Sequence, residues 1–116
     1  MPKIDRDKVR REFEGAVNMT PAELRKWLET AESRKVGWKG PDGTARESVG
    51  HASGRRIVKI LRKDRDGLTA ADYEHMRKVV GYVHRHKAQR PQNIYTSRWR
   101  YSLMNWGHDP AKEEGA

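Results

Sequence analysis

The chain has no cysteine, which excludes disulfides, thiolate metal sites and a cysteine nucleophile and fits a reducing compartment. It has no apolar run long enough to span a bilayer, and its opening Met-Pro-Lys-Ile-Asp-Arg-Asp lacks the apolar core of a signal peptide. The expected location is the cytosol, away from membranes, and the nucleoid if the chain binds DNA. The one Gly- and Pro-rich stretch, Gly37-Trp-Lys-Gly-Pro-Asp-Gly43, lacks the Gly-Lys-Ser or Gly-Lys-Thr ending of a phosphate-binding loop, and no strand pattern precedes it, so nucleotide hydrolysis is excluded. No two of the five histidines have the His-x-x-x-His spacing that puts both imidazoles on one helical face, and His84 and His86 point to different sides of their helix. The Asp64-Arg-Asp-Gly67 turn lacks the alternating acids and closing Glu of a calcium loop. Neither a nucleophile-turn motif nor paired carboxylates in an apolar setting are found. No metal, no cofactor and no enzymatic activity are expected.

What is present is positive charge. Twenty-five Lys and Arg against 16 Asp and Glu give a formal net charge of +9, which favours an acidic partner, and nucleic acid is the commonest polyanion a soluble basic domain meets. RNA, acidic proteins and anionic membranes share that chemistry. At 116 residues the chain is the size of one domain, long enough to bury a modest core without staples. A charged fraction of 35% lies towards the disordered side of composition space, but four Trp, four Tyr and regular apolar patterns argue for a fold.

The patterns are helical throughout. Asp5 is placed to cap a first helix to about Val17, with Val9, Phe13, Ala16 and Val17 along one side. Thr20-Pro-Ala-Glu23 combines a capping box with Pro at the first helical position; Met19 and Leu24 staple it, and Leu24, Trp27 and Leu28 share a face until about Thr30 to Ser33. A loop from Arg34 to Glu47 follows, with a turn at Pro41-Asp42-Gly43. Its Trp38 has the chemistry to stack on a base, but covering the core is the favoured reading. After the Asp64 to Gly67 turn, Thr69 and Asp72 form a second capping box for a long helix to about Arg90, where Pro91 ends it; Tyr73, Met76, Val79, Val80 and Val83 cover its apolar arc, bordered by His75, Tyr82 and His86. A last helix from Ser97 places Trp99, Leu103 and Trp106 on one face and stops at Gly107. Two helices joined by a Gly-containing turn invite comparison with a helix-turn-helix, but the second is long and apolar, so major-groove reading is not expected.

The stretch Ser48 to Lys63 organises the reading. Ile57, Val58, Ile60 and Leu61 fill one helical arc and Arg55, Arg56, Lys59, Arg62 and Lys63 the opposite one. Either Ser48 or Ser53 can cap it. A start at Ser48 puts Gly50 and Gly54 in line with Ile57 and Leu61, a stripe that lets another helix approach closely. A start at Ser53 leaves the amides around Ser53 and Gly54 free beside two arginines, a ready phosphate site. In both cases the five cations are the main candidates for nucleic-acid contact, with Ser53 and Gly54 as possible hydroxyl and amide donors. Arg98, Arg100, Lys87 and Lys39 form a second tier.

Three blocks carry a resemblance: Glu47 to Lys63; Asp72 to His86 with Arg90-Pro91; and Ser97-Arg-Trp-Arg-Tyr-Ser-Leu-Met-Asn-Trp-Gly-His-Asp-Pro110. With Asn18-Met-Thr-Pro-Ala-Glu-Leu24 added, the chain resembles over most of residues 10 to 110 a small bacterial and fungal family, domain of unknown function 3140. The resemblance implies one compact domain and, from the label that some relatives carry, DNA binding; it supplies no catalytic residues. The expectation is thus an all-α, single compact domain of about five helices, with loose ends at about 1–4 and 108–116. Its expected partner is double-stranded DNA, held through phosphates with little base reading. RNA or the ribosome, and a protein partner whose helix fits around Gly50 and Gly54, are the alternatives.

Overall fold

A computed structural model describes residues 5–114. Every regular element in it is helical, in the order α1 (Arg6–Ala16), α2 (Pro21–Leu28), α3 (Ala31–Lys35), α4 (Val49–Leu61), α5 (Ala70–Lys87), α6 (Arg98–Asn105) and α7 (Pro110–Glu114), with a 3-10 turn at Arg65–Gly67. Five of the seven have eight residues or more. The capping chemistry sets most starts. Thr20 and Thr69 each accept from the backbone of Glu23 and Asp72, whose carboxylates return the bond, and Asp5 and Ser97 cap α1 and α6. Gly107 closes α6 at φ +83°, a conformation that glycine adopts without strain, and a Cβ there would also meet Val17 at 3.0 Å.

The apolar arcs meet in one core. α1 packs on α5 and α2 on α4, while α6 packs against α2, α3, α4, α5 and α7 and so holds the two pairs together. Leu24, Ile57, Val79 and Leu103 are wholly buried at its centre. Trp99 and Trp106 are buried with Leu103, as their spacing predicts. The glycine stripe of α4 serves close packing: a Cβ on Gly54 would lie 2.5 Å from the Asn105 carbonyl oxygen and 2.7 Å from Leu28. α4 therefore sits against α2 and α6 at a distance only a glycine permits.

Three expectations are corrected. A separate short helix, α3, follows α2, because Thr30 caps it and Ser33 is buried against α6. The residues from His108 on, expected to be loose, are tied down as far as they are described. The His108 ring is buried, its Nδ1 against the Ala16 carbonyl at 2.7 Å and its Nε2 against Glu113 at 2.8 Å, and Lys112 reaches Glu23 at 2.6 Å. The expected looseness of 1–4 and of the last two residues lies outside the described part. Finally, Trp38 does not cover the core; it is 63% exposed, and its neighbour Val36 takes the buried place instead. No helix among the described residues is long and apolar enough to cross a membrane.

A cationic face on the central helix

Ser48 begins α4: its hydroxyl accepts from the His51 amide at 3.0 Å. That settles the open start and removes one part of the predicted site. Ser53 and Gly54 lie inside the helix and are buried, with the Ser53 hydroxyl engaged by His75 Nε2 at 2.8 Å and Gly54 pressed on Asn105. Their amides belong to the helical ladder, so neither offers a free donor to a phosphate.

The five cations of the other arc are all exposed, as the wheel predicts. Two carboxylates answer them. Arg55 grips Glu47 with two bonds of 2.7 and 2.6 Å, and His51 Nδ1 bonds the Oε2 that also accepts from Arg55 Nε. The Arg55 bonds, reinforced by His51 against the opposing effect of burial, hold the Glu47 carboxyl down at about 2. Asp72, the capping acid of α5, is shared by Arg56 at 3.4 Å and Lys63 at 2.7 Å. Burial on its own would raise that carboxyl; the Lys63 bond and the Thr69 amide and hydroxyl outweigh it and hold it at about 2. Lys59 and Arg62 have no acidic partner among the described residues. Five cations against two carboxylates leave the face positive.

Packing widens it. A depression of about 400 Å³ is lined by Arg55, Arg56, Lys59, Lys63 and Asp72. On the other side of α4, a second one of about 300 Å³ shares Arg55 and Lys59 and adds Arg62, Arg25 from α2 and Arg34 from α3, over a floor of Leu28 and Val58. Arg25 and Arg34 are brought in by the α2–α4 contact and by α3; nothing local in the sequence marks them. Two of the second tier are engaged elsewhere. Lys87 stands fifteen residues beyond Asp72 in α5, about 22 Å along the axis, and pairs with Glu113 at 3.0 Å. Arg100 spends its guanidinium on both Asp109 oxygens and on the Tyr95 carbonyl, which fixes α6 to its flanking segments. Arg98 is exposed at the start of α6, and Lys39 lies half-buried in the loop.

The Asp72 pairing has a stability consequence. Because the folded carboxyl, at about 2, lies below its ordinary value of 3.8, the pairing stabilises the fold fully above pH 3.8 and loses that effect as pH falls towards 2. Asp72→Asn is expected to cost about 2 kcal/mol at neutral pH and to flatten the loss of stability across that window. Urea unfolding at pH 7 and at steps down to pH 2 checks it.

No curated protein matches this chain, and neither does any solved structure. The family model described as "Protein of unknown function (DUF3140)" matches residues 12–104, a span that holds the whole cationic face and the helices that build it, and the chain belongs to that family.

Proposed function

We propose that this protein binds DNA through the sugar-phosphate backbone, with little base specificity and without catalysis. The observation that carries the reading is the continuous face of seven cations, Arg25, Arg34, Arg55, Arg56, Lys59, Arg62 and Lys63, on which Lys59 and Arg62 stand without a carboxylate partner among the described residues. Among the described residues, the acids that line or pair with this face are three: Glu29, Glu47 and Asp72. Arginine forks and a lysine row at this density neutralise phosphates and release counterions, which contributes affinity without reading sequence. Arg55 is itself largely exposed, and a phosphate offers its guanidinium the same forked pair of oxygens that Glu47 now supplies. On this reading the protein works in the cytosol, at the nucleoid.

Titration of a fluorescent duplex at several salt concentrations tests the proposal. With about four net phosphate contacts, the plot of log affinity against log salt is expected to fall with a slope of about −4. Absence of binding at low salt, or binding indifferent to salt, contradicts it. Unrelated duplex sequences of equal length are expected to bind alike.

A further inference from the structure

We propose that an aromatic pocket beside the first turn of α4 receives an unpaired nucleobase, so that a single strand lying on the cationic face is held by stacking as well as by charge. This rests on the nucleic-acid reading above and names the form of nucleic acid it favours. The pocket, about 230 Å³, lies between Trp38 and Val49 on one side and Tyr82 and Trp106 on the other, with Gly50 and Ser102 between them. That is below the roughly 300–1,000 Å³ that accommodates drug-sized ligands and suits a single planar ring.

Its two walls differ in kind. Tyr82 lies on Trp106 with centroids 4.3 Å apart and planes within 15°, and His75 lies on the same indole at 6.2 Å and 13°. This is a rigid stack rooted in the core. The other wall is apolar surface left in water: Trp38 is 63% and Val49 52% exposed. Their placement is specified by the chain. Gly37 turns the backbone at φ +98°, where a Cβ would meet Ser48 at 2.9 Å, and the Val49 amide then donates to the Trp38 carbonyl at 2.9 Å. Buried Val36 anchors the loop from the other end. A tryptophan held by its backbone with its ring in solvent is pre-organised for a partner ring.

Charge decides which ring. None of the described residues that line the pocket is acidic. Burial first, and after it the positive charges of Arg56 and Lys78, disfavour the charged form of His75, and Arg85 stands against Gly81 and beside Tyr82. Lys78, Tyr82 and Arg85 share one face of α5 at steps of four and three, so cations flank the stack, and Arg56 on α4 reaches the start of α5 through Asp72 at 3.4 Å, next to the Ser53–His75 bond. An aromatic ring attached to a polyanion fits this surroundings, and each base of a single strand is one. Bases paired in a duplex cannot enter.

The test compares three probes of one length: a thymidine strand, a strand with the same phosphates but abasic sugars, and a duplex. The intact protein is expected to bind the thymidine strand roughly tenfold more tightly than the abasic one. Trp38→Ala should remove that difference while leaving abasic and duplex affinities and their salt slopes unchanged, and Trp38→Phe should keep most of it. Equal affinity of the intact protein for the base-bearing and abasic strands overturns the proposal and leaves the pocket to another kind of partner, such as an aromatic side chain. An equal loss on all three probes in Trp38→Ala also overturns it. If salt-dependent duplex binding persists in either case, only the pocket assignment fails; if no probe binds at low salt, the nucleic-acid reading fails and this inference with it.

Discussion

Asn105→Ala is expected to lower the unfolding free energy by about 3–5 kcal/mol, a large part of the roughly 5–15 kcal/mol that a domain of this kind has. Asn105 is fully buried at the end of α6, and its amide closes three bonds. Its Oδ1 accepts from Trp27 Nε1 at 2.8 Å and from the Ser33 hydroxyl at 2.5 Å, and its Nδ2 donates to the Ser33 carbonyl at 3.0 Å. Alanine leaves two donors and one acceptor from α2 and α3 without partners, and Ser33 is itself beyond the reach of water. The loss of each bond counts with the desolvation of the group left behind, which is why removing one partner costs more than the bond's net worth. The same residue's carbonyl lies where α4 crosses at Gly54, so this point sets how four helices meet. Urea unfolding followed by helical circular dichroism checks the effect: the midpoint should fall with the slope unchanged. A loss below about 1 kcal/mol would show that the network is replaceable by water.

Asn105 also marks the limit of what the sequence could reveal. Elements whose stability is local were legible: the capping boxes at Thr20 and Thr69, the Trp99, Leu103 and Trp106 stripe, and the two arcs of α4 all stand where periodicity and capping put them. α3 was not, because five residues have little helical stability alone and this turn holds through Ser33 to a residue 72 positions away. The C-terminal segment was missed for the same reason, since His108 is held by the Ala16 carbonyl from the other end of the chain. Two serines could cap α4 on local grounds; close contact at Gly54 is a tertiary fact. Of the site, the five cations of α4 were legible, but their carboxylate partners, Arg25, Arg34 and the outward placement of Trp38 depend on which helices touch.

Lys59→Glu with Arg62→Glu is expected to weaken duplex DNA binding by about thirtyfold or more near 0.1 M salt. These two residues are chosen because they are exposed, carry no carboxylate among the described residues, and lie on the turn of α4 shared by the arginines from α2 and α3. Removing two phosphate contacts lowers affinity, and two new acids repel the backbone between Arg55 and Lys63. The reversal also sets negative charge at the C-terminal end of α4, opposing the helix dipole at a cost of about 0.3–1 kcal/mol each, so unfolding is measured in parallel.

The neutral pair Lys59→Gln and Arg62→Gln adds no opposing charge, losing only the cations' own favourable interaction with the helix end, and gives the most direct reading of phosphate contact on this face. The measurement is the salt dependence of duplex binding, intact protein against the Gln pair. The account predicts that the magnitude of the log–log slope falls by about 2, with the protein still folded, its unfolding midpoint lowered only slightly, and no new preference among duplex sequences. An unchanged slope and affinity in a folded double variant would contradict it and return these cations to the role of a solvated surface.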